Sequence, residues 1–293
     1  IDAPDDELKK ALRNLKDMFE TEFQFNKNSA FQTAWYHTSA FAYIPRRSPK
    51  DSLKRHQTNE SRWYGKLDAK NFFGSTTLDF AMHMLSMVFP FCEICRTDRG
   101  TEALRKALAL GFLDGVLPQG TPLSPTLTNI IMIPIDYRLS NTLRNFQNQT
   151  YVYTRYADDM LISSRYTFQI QQIVKLAETT FREFGAPYIL NKEKTRYGSS
   201  SGSNWNLGLM INKDNQITVG YKKKKQLQTM LSAYAMDRKN GVRWSYEDLA
   251  HLDGVKGYCR QVEGETIDRI LAHLNGKFGF DIEKAIAADK QSF

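Results

Sequence analysis

At 293 residues, with 41% hydrophobic and 25% charged side chains, the chain is long enough for a large domain or two to three subdomains around a substantial core. Forty Lys and Arg against 32 Asp and Glu give a net charge of +8, which suits a polyanionic partner but by itself indicates only non-specific attraction. Cys92, Cys95 and Cys259 are too few for a disulfide framework, and Cys92-x-x-Cys95 lacks the second pair of a zinc site, so we expect reduced thiols in a cytosolic protein. No run approaches the roughly 18 apolar residues of a membrane span, and the acidic, amphipathic start does not read as a signal peptide.

In chain order, Leu8, Leu12, Leu15 and Phe19 recur at helical spacing over residues 5–20, which predicts an amphipathic helix. Residues 39–56 interleave aromatic and basic side chains, including Arg46, Arg47 and His56, the last read as a satisfied structural histidine. Trp63 to Asp68 reads as a strand ending at Asp68, followed by a turn and then helices across 77–113, patterned by Leu78, Met82, Leu85 and Val88 and by Leu104, Leu108 and Phe112. The block Leu117-Pro-Gln-Gly-Thr-Pro-Leu-Ser-Pro125 predicts a tight loop feeding a helix, with Ser124 as N-cap, Pro125 at the first helical position and a kink at Pro134. Tyr151 to Tyr156 and Met160 to Ser163 are aromatic-rich and aliphatic strands whose connecting turn carries Ala157, Asp158 and Asp159.

Adjacent aspartates between apolar strands repel one another unless a cation joins them. A hard divalent ion such as Mg2+, held by one or two carboxylates plus substrate phosphates, makes phosphoryl transfer the leading chemistry. The bland alternative is that Asp-Asp merely punctuates a turn. Downstream, Ile170, Ile173, Val174, Ala177, Phe181 and Phe184 mark a helix ending near Gly185, and residues 198–204 read as a flexible turn. A second hairpin is expected over 206–219, followed by helices at 222–238, 246–262 and 266–274, the first opening on Lys222, Lys223, Lys224 and Lys225.

Three blocks in this order, Asp68 to Phe73, Gln119-Gly120 with Ser124-Pro125, and Tyr156-Ala-Asp-Asp159, resemble motifs A, B and C of bacterial retroelement reverse transcriptases, related to group II intron enzymes. The resemblance implies an α+β right-hand polymerase: an N-terminal helix and fingers over 1–60, a palm over 61–215 with a fingers insertion at about 80–120, and a helical thumb over 216–293. It implies RNA-directed DNA synthesis from dNTPs, with Asp68, Asp158 and the Ala69 backbone on two Mg2+ ions roughly 4 Å apart, Mn2+ as a substitute, and Asp159 as a ligand or close electrostatic partner. Phe73 occupies the family's steric-gate position, with core packing as the alternative. Gly120 lets the backbone approach a base pair, and Gln119 hydrogen-bonds near it.

The same resemblance makes Arg46 and Arg47 candidates for phosphate contact, against a solvated basic loop, and gives Lys194 a pyrophosphate or phosphate role. Leu207 and Gly208 fall in the expected primer grip, where Asn206-Leu-Gly208 replaces the Val-Thr-Gly of retrons, and Lys222 to Lys225 head the thumb, facing the template-primer backbone. Trp244, Tyr258 and Arg260 either stack on nucleotides or pack in the core. Expected partners are a structured non-coding RNA, an RNA or DNA primer and an effector protein, in the bacterial cytoplasm, and the Ser-Pro after Gln-Gly favours a retron-type or antiphage-defence enzyme. The rivals are an RNA-binding, maturase-like scaffold and a template-independent DNA polymerase of the same fold.

Overall fold

The structure, a computed structural model, describes residues 3–22, 34–144, 146–200 and 204–293, and the chain divides into two compact units, one ending at Ser199 and one beginning at Ser200. In the first unit, α1 (Asp6–Glu22) buries Leu12 and Phe19, and Phe19 meets Phe91 edge-on at 5.1 Å. Helix α2 (Pro49–Thr58) starts with a full capping box, Ser48 and Asp51 each accepting from the other's backbone N–H, and Pro49 sits where no intrahelical donor is needed.

Strand β1 (Trp63–Lys70) is central. On one side it pairs antiparallel with β3 (Asp159–Ser164), which in turn pairs with β2 (Tyr151–Tyr156); on the other it pairs with β4 (Ile189–Leu190) and β5 (Arg196–Ser199). Tyr64, Leu67 and Ala69 are buried because helices cover the sheet. A side chain at Gly65 would strike Ile170, at the start of α9 (Ile170–Glu183), so glycine there lets that helix approach the strand. The intervening helices are α3 (Phe72–Ser75), α4 (Leu78–Leu85), α5 (Phe91–Ile94), α6 (Asp98–Ala109), α7 (Ser124–Ile131) and α8 (Ile133–Arg144).

The second unit holds a short hairpin, β6 (Met210–Ile211) with β7 (Ile217–Thr218), and three helices, α10 (Gly220–Lys239), α11 (Tyr246–Phe278) and α12 (Ile282–Gln291). Glu263, with non-helical φ −133° and ψ 60°, kinks α11. Its carboxylate accepts from the Thr218 hydroxyl, the Val219 N–H and Lys224 Nζ, tying hairpin, α10 and α11 together. Burial works against that charge, but the three bonds outweigh it and hold the carboxyl below its ordinary range.

Several local expectations change. Strand β1 runs two residues past Asp68 because Ala69 and Lys70 pair with Leu190 and Ile189. Ser124 is the first helical residue, not the cap: its N–H donates to Thr121 Oγ1 and its hydroxyl to the Pro118 carbonyl. Pro134 does not kink one helix but sits in the first turn of a new one, where its missing N–H costs nothing. Gly198 and Ser199 belong to β5, while 201–203 lie outside the described residues. The helix expected at 266–274 is the far arm of kinked α11, and α12 was not foreseen. Among the described residues, no helix is long and apolar enough to cross a membrane.

Candidate active site

The sheet register brings the three aspartates together. Asp68 lies directly across from Asp159, and cross-strand partners place their side chains about 5 Å apart on one face. Asp158 occupies the β2–β3 turn, which Ala157 closes in the left-handed conformation (φ 57°). The Ala69 N–H donates to the Asp158 carbonyl at 3.2 Å and the Asn191 N–H to the Asp68 carbonyl at 2.8 Å, so turn and strand are locked together.

The acids are not equivalent. Asp68 is buried, and Lys194 Nζ lies 3.2 Å from each of its oxygens, which raises the lysine's pKa. Asp159 instead pairs with Lys66 at 2.6 Å. Lys66 and Asp68, two apart on a strand, share a face, which makes this a diagonal cross-strand contact. Burial holds the Asp158 carboxyl above its ordinary range, a backbone hydrogen bond opposes this, and the neighbouring Asp159 and Asp68 charges push it further up.

Asp68 and Asp158 face a cavity of about 700 Å³. Phe73, Gln119, Gly120 and Tyr43 lie in its wall. The expected Phe pair splits: Phe72 is buried against Tyr188, with ring centroids 4.8 Å apart, whereas Phe73 is half-buried on the cavity wall, edge-on to Tyr43 at 6.5 Å. Gly120 has φ 98°, a conformation closed to ordinary side chains. Among the described residues no group of three or more His, Cys, Asp or Glu is arranged to grip a metal. The donors nevertheless fit a hard divalent ion: burial and the neighbouring carboxylates hold Asp158 above its ordinary range, and an ammonium already stands in as counter-charge at Asp68.

The other candidates are not among the residues that line this cavity. Arg46 is exposed and outside the cavity wall, in a left-handed backbone conformation (φ 64°). Arg47 donates to the Thr38 and Ala40 carbonyls and lies over the Tyr36 and Phe41 rings, so it braces its own segment instead of offering a free guanidinium. His56 is fully buried between the Ser163 and Thr154 hydroxyls, a structural role as expected. In the second unit, Leu207, Gly208, Lys222 and Lys223 line one groove of about 800 Å³ that contains no acidic side chain. Lys225 is exposed, whereas Lys224 is paired with Glu263 at 2.9 Å. Arg260 is held by Asp268 and Glu283 and Trp244 donates to Asp237, whereas Tyr258, whose hydroxyl donates to the Leu207 carbonyl, lines the groove itself.

Sequence reasoning passed over Lys66, Tyr43 and the Arg155–Asp136 pair. Strand alternation could have found Lys66, and a lone arginine inside an apolar strand could have flagged Arg155; nothing local marks Tyr43.

A family profile described as reverse transcriptase (RNA-dependent DNA polymerase) matches residues 6–226. The Ec73 retron reverse transcriptase of Escherichia coli is 27% identical over 261 residues, covering 87% of this chain and 78% of that one. The Mx65 retron reverse transcriptase of Myxococcus xanthus is 29% identical, over 79% of this chain and 53% of its own length. A solved structure of telomerase from Candida tropicalis, in complex with a TWJ fragment of telomeric RNA, matches with a TM-score of 0.51 and 13% identity. It covers 92% of this chain, which spans about half of that one, and shows the shared α+β right-hand polymerase fold alone. With the profile running from α1 into α10 and spanning all three acids, the chain belongs to the reverse transcriptase family and is an RNA-directed DNA polymerase.

Proposed function

We propose that this chain is the polymerase of a bacterial retron, copying a structured RNA by joining dNTPs to a primer 3′-hydroxyl. The observation that carries the reading is the presence of Asp68 and Asp158 in one cavity with Phe73, Gln119 and Gly120. The retron identity of the relatives supports the biological setting.

A pair of bound Mg2+ ions, or Mn2+ in their place, supplies the charge that acidifies the 3′-hydroxyl and neutralises the leaving pyrophosphate. Asp68 and Asp158, with the Ala69 backbone, would hold them. Asp159, fastened to Lys66, acts as the nearby electrostatic partner. Lys194, its side chain 65% exposed, would exchange Asp68 for the triphosphate or protonate pyrophosphate. The Phe73 ring obstructs a 2′-hydroxyl, and Gln119, beside the bare Gly120 backbone, contacts the nascent pair. Arg46 remains the candidate for phosphate contact in the fingers, while Arg47 is spent on its own segment.

We assign 1–60 to the fingers, 61–215 to the palm with its insertion, and 216–293 to the thumb, with Lys222, Lys223, Lys225, Leu207 and Gly208 along the template-primer. The cognate RNA, an effector protein and a cytoplasmic location belong to the same proposal. Primer extension on poly(rA) with oligo(dT) tests it: incorporation that needs the template and is abolished by Asp158→Ala is expected. Synthesis without template, or RNA binding with no synthesis, overturns it in favour of an untemplated polymerase or an RNA scaffold. Sequencing the nucleic acid that co-purifies should find an RNA joined to DNA copied from it.

A further inference from the structure

We propose that Arg155 is a positioning residue for DNA synthesis, its guanidinium holding the turn that aims Asp158; this rests on Asp158 being catalytic. Arg155 lies in β2, three residues before Asp158, and is 1% exposed. A guanidinium taken out of water is tolerated only when its donors are met. Here Nε donates to both Asp136 oxygens at 3.0 and 3.1 Å, Nη2 to Asp136 Oδ2 at 2.8 Å and Asn129 Oδ1 at 3.2 Å, and Nη1 to the Ala157 carbonyl at 3.2 Å.

Net stability does not account for this arrangement, since a buried ion pair usually does no better than apolar side chains of the same volume. What apolar side chains could not supply is the arm to Ala157. That residue holds φ 57°, an unfavourable conformation for a side chain with Cβ, and directly precedes Asp158. The turn is gripped from both sides: Nη1 takes the Ala157 carbonyl, and the Ala69 N–H takes the Asp158 carbonyl.

The remaining contacts lead to the opposite wall of the cavity. Asn129 sits on α7, the helix that follows the Gln119-Gly120 loop, and its Nδ2 donates to the Ala42 carbonyl at 2.9 Å, next to Tyr43. The Arg155 backbone pairs with Ser39 and Phe41 in the same segment. One side chain thus registers the acid-bearing turn against the loop and helix that face the nucleotide. Lysine could keep the charge beside Asp136 but could not span Asp136, Asn129 and the Ala157 carbonyl at once.

The test uses the full chain in steady-state dTTP incorporation on poly(rA) with oligo(dT), titrating dTTP and Mg2+, with thermal unfolding in parallel. Three variants separate positioning from packing. Arg155→Lys keeps the charge, the double variant Arg155→Met with Asp136→Leu replaces the buried pair with apolar groups, and Tyr153→Phe removes another bond to Asp136 (2.7 Å) without touching Ala157.

We expect kcat to fall about 30-fold or more in Arg155→Lys and in the double variant, with KM for dTTP held within about threefold and half-saturating Mg2+ raised. Tyr153→Phe should lower Tm yet keep kcat within about twofold. Wild-type kcat in either Arg155 variant overturns the proposal, as does a kcat that simply follows Tm across the series. If the double variant does not fold, Arg155→Lys against Tyr153→Phe decides. Absence of Asp158-dependent incorporation in the wild type would instead sink the underlying polymerase reading.

Discussion

His56 makes acid stability calculable. Its ring is buried between two hydroxyls, Nδ1 to Ser163 Oγ at 2.6 Å and Nε2 to Thr154 Oγ1 at 2.8 Å, and burial, with Arg55 nearby, lowers its pKa to about 3. An unfolded histidine titrates near 6.5. Between those values the unfolded chain binds a proton that the folded chain refuses, so stability falls as pH falls, by about 1.4 kcal/mol per pH unit. From pH 7 to pH 5 the loss due to this residue is about 2 kcal/mol, large against typical total stabilities of about 5–15 kcal/mol. His56→Gln keeps an amide that can bond both hydroxyls but removes the titration. Urea unfolding followed by circular dichroism at pH 7.5, 6.5, 5.5 and 5.0 measures the difference, and His37 and all other titrating groups are common to both proteins. The variant, less stable at pH 7.5, should lose about 2 kcal/mol less than wild type by pH 5. Parallel curves for the two proteins would refute the reasoning.

Three further outcomes follow from the site and the second unit. Phe73→Ala should relax discrimination against rNTPs by about tenfold or more, read from kcat/KM for dNTP and rNTP, whereas a core role would lower Tm and leave the ratio unchanged. Replacing Lys222 and Lys225 with Gln should reduce the salt slope of RNA binding by about 2, one per phosphate contact, with Tm unaltered. Glu263→Gln should instead cost about 1–3 kcal/mol of stability, because it leaves Lys224 without its counter-charge, and a calorimetric scan would show it.

Local chemistry made several elements legible, while the right-hand polymerase fold was read from the resemblance of three motif blocks. Alternation and aromatic content announced β2 and β3, and the helix periods over 5–20 and 170–184 were strong enough to be read directly. Boundaries failed where a non-local partner intervened, as when pairing with β4 carried β1 beyond Asp68. Individual basic residues were the weakest inference, because Arg47 and Lys224 look no different from neighbouring cations until their partners are seen.

Residue types and their order, unaided, pointed to a cation at the Asp158-Asp159 turn, since repulsion between adjacent acids and the strand period are properties of short stretches of chain; Asp68 joined them only through the family resemblance. Which cation answers which acid was decided only by folding: Lys66 reaches Asp159 across 93 positions and Lys194 reaches Asp68 across 126. Burial of Arg155 against Asp136 was settled the same way, through the packing of α8 on the sheet. Coulomb attraction and desolvation depend on distance and surroundings in space, and a linear order of residues contains neither.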